Sequence, residues 1–430
     1  MTVKILIPSQ NIELTGEVQN CLLVAKRQGL ATDAVELGVS PTQYFSIVDS
    51  QQALSIGFAH DVDSLAECKL TELNHVVDYS NSVALTDVCD AFTETPDTIY
   101  IGISDDLAVL DIWSHLDASR AIKSDTTAHQ ALDNRGHFAW VLTLLALEFP
   151  LEDALVLARA ASNVSRGTWP AHYQNFPIPA LEDQRLDISV GWANQGTSLS
   201  FPELSKSSLG LYPVVDDVEW IERLLKLGIN TVQLRIKNPQ QADLEQQVAR
   251  SIDLGREYNA QVFINDYWQL ALKHDAFGVH LGQEDIEESN LSQLSFAGIK
   301  IGLSTHGYYE LLRIVQINPS YIALGHIFPT TTKQMPSKPQ GLVRLSLYQQ
   351  LIDTIPYTEQ LIGYPTVAIG GIDQSTAEQV WDCGVSSLAV VRAITLAEDP
   401  KKVIEFFEKL MTPKPSNIGE EVAQEPSYAE

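Results

Sequence analysis

Between residues 209 and 412 the chain repeats one pattern eight times, and little else in it constrains the fold as strongly. A short apolar run is followed by a helical period or by a connection leading into one. The runs are Leu211–Asp216, Thr231–Lys237, Gln261–Asp266, Phe277–Gly282, Lys300–His306, Tyr321–Ile327, Thr366–Gly371 and Ser387–Ile394. "YIALGHI" and "TVAIGG" are continuous in the way that strands buried on both faces must be. "VEWIERLLKLG" and "LEQQVARSIDLGREYN" carry the helical spacing of apolar residues. Eight βα units in so short a stretch fit a closed (β/α)8 TIM barrel better than an open doubly wound sheet. The fold class is therefore α/β, with a separate N-terminal α/β domain ahead of the barrel.

With 430 residues the chain has room for that second domain. Residues 1–176 are expected to form it, with strands at "VKILIPS" and "TIYIGIS" and helices at "AWVLTLLALEF" and "LEDALVLARAASNV". Residues 177–208, rich in Pro, Gly, Ser and Asn, read as a linker in which "DISVGWA" also fits a strand. Residues 413–430 read as a disordered acidic tail.

A net charge of −27 argues against nucleic acid or an anionic membrane as the main partner, since both demand clustered Lys and Arg; it leaves room for a small basic pocket. Cys21, Cys68, Cys89 and Cys383 lack CxxC spacing and are expected as free thiols in a cytoplasmic protein. "MTVKILIPSQ" reads as a strand without the features of a signal peptide, and no apolar run approaches the ~18 residues of a membrane span.

In a barrel of this kind the chemistry sits just past the C-terminal ends of the strands. In "QLRIK" the polar residues Gln233, Arg235 and Lys237 alternate with Leu234 and Ile236, which puts all three on one face of an extended strand. The cations would converge with Lys333 of "TTTK", a fork and two point charges suited to a polyanionic phosphate. Asp266 ends "FIND" and Asp285 follows "HLGQ". As a pair they suit a divalent cation whose remaining ligands are phosphate oxygens and water, with Glu284 a competitor. Either aspartate alone also fits a helix N-cap.

Gly370–Gly371 ends the seventh strand and Val391–Arg392 lies late in the eighth, where the following loops frequently bind phosphate through backbone N–H groups. His280, His306 and His326 each fit a hydrogen-bonded structural role as well as direct chemistry. Two anion sites and a divalent metal suit transfer between two phosphorylated substrates. They offer no nucleophile–base pair for a covalent mechanism.

Taken in order, "TVQLRIK", "FINDYW", "GVHLGQED", "GLSTH", "YIALGHIFPTTTKQMPS" and "PTVAIGGI" resemble the thiamine-phosphate synthase (thiamine-phosphate pyrophosphorylase) family from about Leu211 to Phe407. The resemblance implies a Mg2+-dependent transferase of thiamine biosynthesis. It would join 4-amino-2-methyl-5-(diphosphomethyl)pyrimidine to the thiazole phosphate and release pyrophosphate. By resemblance, Gln233, Leu234, Arg235, Ile236, Lys237, Asn265, Ser304 and Lys333 bind the pyrimidine diphosphate. Asp266 and Asp285 hold Mg2+, and Thr330, Thr331, Thr332, Gly371, Val391 and Arg392 contact the thiazole phosphate. Arg235, Lys237 and Lys333 are the expected catalytic cations, and the loop "TTTKQMPS" is expected to order over both substrates.

Arg392 departs from the small Ser usual at that position in the family. A thiazole tautomerase, or a non-catalytic sensor of thiamine intermediates, is the alternative, although the retained aspartates and Thr–Lys loop favour the synthase. Homo-oligomerisation is left open. Residues 131–166 distantly resemble the end of a ribokinase-like hydroxymethylpyrimidine kinase. Here Asn134–Arg135–Gly136–His137 replaces its Gly-rich phosphate turn, so a domain without kinase activity is expected. Asp133 is read there as a helix cap.

Overall fold

The computed structural model describes residues 2–69, 71–105, 108–125, 132–192, 199–330 and 338–412. Thr331, Thr332, Lys333, the expected closure of their loop, and the tail from 413 lie outside the described residues.

The N-terminal half begins with β1 (Val3–Ile7), α1 (Leu14–Arg27), β2 (Val35–Val39), β3 (Phe45–Val48) and β4 (Ala53–Ala59). It continues through α2 (Val62–Lys69), β5 (His75–Asp78), α3 (Val88–Glu94), β6 (Thr98–Ser104), β7 (Ala108–His115) and β8 (Ala118–Asp125). The helical hairpin α4 (Asn134–Ala146) and α5 (Leu151–Ala161) follows, then β9 (Ile178–Pro179), β10 (Glu182–Asp183) and β11 (Ile188–Ser189). Nine strands form one mixed sheet in the order β2-β1-β3-β4-β5-β6-β7-β8-β9. Within the stretch read as a linker, β9 pairs with β8, and β10 pairs with β11 in a small sheet of their own.

The second half is a closed parallel barrel of eight strands. In order these are β12 (Leu211–Val215), β13 (Thr231–Leu234), β14 (Gln261–Asn265), β15 (Gly278–Leu281), β16 (Lys300–Thr305), β17 (Tyr321–Gly325), β18 (Thr366–Ile369) and β19 (Ser387–Val390). Its outer helices are α6 (Val218–Lys226), α7 (Leu244–Glu257), α8 (Trp268–Lys273), α9 (Gln283–Glu288), α10 (Leu291–Phe296) and α11 (Tyr308–Ile314). The ring is completed by α12 (Gly341–Ile352), α13 (Ala377–Trp381), α14 (Arg392–Thr395) and α15 (Pro400–Met411). Each expected apolar run contains one strand, so the α/β reading with a TIM barrel holds.

The strands end before the runs do, which corrects two expectations. The ladder of β13 stops at Leu234, and the Arg235 N–H makes a last bond to the Val215 carbonyl at 2.7 Å. The chain then turns at Asn238, whose side chain accepts from Gln240 N, so Lys237 is exposed beyond the strand rather than in register with Gln233. Likewise β19 ends at Val390; Val391 leaves extended geometry and Arg392 opens α14 instead of sitting late in the strand.

The two halves share one continuous hydrophobic core, running from Ile5, Trp113 and Leu155 through Tyr308 and Tyr309 to the layer between the barrel strands and their outer helices. The barrel interior around Tyr212, Phe263 and Tyr321 is a cluster of its own. The turn between α4 and α5 lies against the barrel mouth. Arg344 of α12 donates to the Leu147 carbonyl at 2.8 Å and stacks on Phe149 at 4.2 Å, while Glu148 pairs with Lys338 at 2.7 Å.

Candidate active site

A cavity of about 1400 Å3 opens at the C-terminal ends of the barrel strands, and residues from all eight strand ends line it. One wall belongs to the N-terminal half, around Asp49, Leu145–Pro150 and Asp153. The floor is a chain of buried polar groups. Gln233 donates to the Tyr212 hydroxyl at 3.2 Å, and that hydroxyl meets the Tyr321 hydroxyl at 2.9 Å. Tyr321 in turn meets His280 Nδ1 at 2.8 Å, and His280 Nε2 meets Ser304 Oγ at 2.9 Å. Burial raises both tyrosine pKa values far above the usual phenol range, so both stay neutral and serve as hydrogen-bonding groups. With both ring nitrogens engaged, His280 acts as a spacer that orients Ser304.

Around this floor stand the expected side chains. Gln233 and Asn265 are buried, Arg235 and Ser304 half-buried, and all four face the cavity. Asp266 is exposed at the rim with φ of 63°, a left-handed conformation that aspartate tolerates better than most residues and that is frequent at functional sites. Asp285 accepts from the Gly282 N–H through Oδ2 at 3.0 Å, as the third residue of α9. Asp285 is therefore not the N-cap, a position Gly282 holds, but the third helical residue that reaches back to it: one carboxylate oxygen serves the helix start while the side chain lines the cavity.

Among the described residues no three His, Cys, Asp or Glu side chains form a metal-holding group. Two carboxylates on the cavity wall nonetheless fit Mg2+, which takes one or two carboxylates and fills its shell with phosphate and water. His306 is taken up by Glu310, at 2.9 Å, and burial and the nearby His306 lower the pKa of His326, which favours its neutral form.

The seventh-strand glycines are required by geometry. Gly370 and Gly371 have φ of 108° and 69°, and a Cβ on them would lie 2.5 Å from the His326 Cβ and 2.8 Å from the Phe328 Cβ. Their backbone thus packs against Phe328 and Pro329 at the start of the sixth-strand loop, with Val391 and Arg392 following the adjacent eighth strand and lining the same cavity. Lys237 is not among the cavity-lining residues, and Leu234 and Ile236 are buried behind the wall.

Tyr212, Tyr321 and Gln283, whose amide donates to the Ser304 carbonyl at 2.7 Å, escaped the sequence reading, as did the whole N-terminal wall. The one available signal was a tyrosine hydroxyl inside two otherwise apolar strands.

Fold and cavity define a parallel (β/α)8-barrel protein with a candidate site at the carboxyl ends of its strands. Residues 211–394 match the family model described as thiamine monophosphate synthase. The chain is 51% identical over 223 residues to the thiamine-phosphate synthase of Proteus mirabilis (strain HI4320), covering 99% of that protein and 52% of this one. It is 56% identical over 191 residues to that of Citrobacter koseri, covering 86% of that protein and 44% of this one. Among solved structures it is similar to a thiamine phosphate pyrophosphorylase from Pyrococcus furiosus, at 30% identity and a TM-score of 0.41, covering 96% of that chain and 48% of this one. The chain belongs to the thiamine-phosphate synthase family and is a transferase of thiamine biosynthesis. No helix among the described residues is long and apolar enough to cross a membrane.

Proposed function

We propose that the barrel mouth joins the pyrimidine diphosphate to the thiazole phosphate, with the former over the Tyr212–Tyr321–His280–Ser304 floor and the latter beside Gly371. The observation that carries this reading is that Gln233, Arg235, Asn265, Asp266, Asp285 and Ser304, from four successive strand ends, line one cavity together with Thr330 and Gly371 from the next two. The bond from the pyrimidine methylene to the diphosphate oxygen breaks, and its electron pair leaves with pyrophosphate. The thiazole nitrogen lone pair then forms the new C–N bond. Arg235 neutralises the leaving oxygens, Gln233, Asn265 and Ser304 orient the ring, and the Gly371 and Val391–Arg392 backbone holds the thiazole phosphate in line.

Asp266 and Asp285 would hold Mg2+, which when bound would supply positive charge to neutralise the leaving diphosphate. A base is not needed, consistent with the engagement of His280 and His306 by their neighbours. Work in the cytoplasm is supported by four free cysteines.

The test mixes the purified chain with both substrates and Mg2+ and measures thiamine phosphate and pyrophosphate in equal amounts. Chelation is expected to abolish both products and re-addition of Mg2+ to restore them. Turnover indifferent to chelator would remove the metal assignment.

A further inference from the structure

The N-terminal half grips one element of the barrel mouth in detail. The first turn of α11 begins two residues after β16, whose last residues include Ser304. Asp153, on α5 of the other domain, reaches this turn and accepts the Tyr309 N–H through Oδ1 at 2.9 Å. It is 3% exposed. Gly307 opens α11 in extended geometry, and a Cβ there would lie 2.2 Å from Asp153 Oδ2 and 2.7 Å from Oδ1. The glycine is therefore needed for space, so that a carboxylate from 150 residues away can occupy the cap position.

Neighbouring side chains complete the grip. Trp113 packs edge-on against Tyr309 at 5.6 Å, Arg120 lies over the same ring at 5.3 Å, and Phe176 stacks on Tyr308 at 5.6 Å. On the cavity side, the Gly307 carbonyl accepts from Thr305 Oγ1 at 3.0 Å, while Gln283 donates to the Ser304 carbonyl. The Ser304–Gly307 segment is thus held between barrel and N-terminal half.

We propose that Asp153 is a positioning residue for the synthase reaction: it caps α11 across the domain boundary and so fixes the turn that sets Ser304 against the pyrimidine substrate. This rests on the assignment of Ser304 to the pyrimidine subsite. It gives the N-terminal half a part in the barrel's own chemistry without any ligand of its own. The cap works through an oxygen acceptor, so an amide can replace the carboxylate, whereas a methyl group cannot.

The experiment compares Asp153→Ala, Asp153→Asn, Gly307→Ala and Ser304→Ala in the full chain, reading kcat and the KM of each substrate separately. Asp153→Ala is expected to raise the KM for the pyrimidine diphosphate about tenfold, with the thiazole phosphate KM within about twofold of the parent. Asp153→Asn should restore the pyrimidine KM to within about threefold. Gly307→Ala, which evicts the carboxylate from the barrel side, should reproduce the Asp153→Ala defect, and the double variant should be no worse than either single one. Should Asp153→Ala fail to fold, the Gly307→Ala and Asp153→Asn pair decides alone.

A lowered melting temperature with both KM values unchanged, or an equal rise in both, overturns the proposal, because either marks a merely structural contact. Ser304→Ala separates this from the subsite reading. If Ser304→Ala raises the pyrimidine KM and Asp153→Ala does not, the positioning role alone falls. If Ser304→Ala changes nothing, the subsite assignment falls and carries the route from Asp153 with it.

Discussion

Each half of the molecule buries a set of polar side chains, but it arranges them to opposite ends. In the N-terminal half they close on one another. Arg159 forks onto Asp111, with Nε to Oδ2 at 2.7 Å, Asp111 also accepts the Gly102 N–H at 2.9 Å, and Tyr79 bonds His137 at 2.8 Å. Burial pushes His137 down to about 3, which keeps it neutral beside the Arg159 charge. In the barrel the corresponding groups are spread over successive strand ends and left facing a cavity. Paired charges specify a structure; charges with a free side toward solvent bind something. Substitutions should therefore separate the halves, with the barrel mouth losing rate and the N-terminal cluster losing stability.

The largest effect is expected at Arg235. Arg235→Ala should lower kcat/KM by about 10²- to 10³-fold, the range for removing one preorganised charge donor, with a melting temperature close to the parent's because the side chain is half-buried at a rim. Steady-state kinetics beside a thermal melt decides it. A large fall in melting temperature with modest loss of rate would make Arg235 a structural residue like Arg159.

Asp111→Ala should do the reverse. It strands the Arg159 guanidinium, which is 4% exposed, and breaking such a pair from one side costs about 3–5 kcal/mol. Denaturant unfolding should show this loss, while kcat and both KM values measured well below the transition stay within about twofold. A selective loss of turnover would dissolve the contrast between the halves.

Asp153 lies where the two arrangements meet, and its titration sharpens the contrast. Burial raises its pKa to about 7 against the pull of the Tyr309 and Tyr308 amides, with Glu152 and Glu310 adding to the rise. The phenols of Tyr308 and Tyr348 also feel its charge. The folded chain therefore holds a proton that the unfolded chain releases from about pH 4 upward. This contribution to stability is full below that pH, is lost as pH rises toward 7, and is flat beyond. Asp153→Asn removes it. From pH 5 to 8 the parent should lose roughly 2 to 3 kcal/mol relative to this variant, at about 1.4 kcal/mol per pH unit below the folded pKa. Parallel pH–stability curves for the two chains would show that Asp153 stays ionised throughout.

The sequence made the barrel legible because its physics is local. Strands buried on both faces must be continuous apolar runs, and a polar residue that interrupts such a run at its end, as Asn265 or Ser304 does, shows itself. What escaped depends on distant partners. Tyr212 and Tyr321 have the composition of core residues, and only their mutual contact across the barrel, at 2.9 Å, turns them into a polar floor. Asp153 in "LEDALVLARAA" is what any helix favours in its first turn, and nothing local tells that its acceptor oxygen faces Tyr309, 156 residues on. The strand ends were overrun for a related reason. The apolar pattern of "QLRIK" continues through Ile236, but the hydrogen-bond ladder that defines the strand stops where β12 runs out.

Arg392 carries the smallest expected effect and tests the finest point in the barrel. It is exposed, it opens α14, and it lines the same cavity as Gly371, so its backbone N–H as well as its side chain is a candidate donor there. A backbone donor survives any side-chain change that keeps the turn, and an exposed cation adds about 0–1 kcal/mol at most. Arg392→Ser should therefore keep activity within about threefold of the parent, with any change confined to the KM for the thiazole phosphate and diminished at high salt. Near-total loss would mean that the guanidinium itself holds the phosphate. The eighth strand end would then bind as is proposed for Arg235 at the second, by a side chain carried past the end of the ladder.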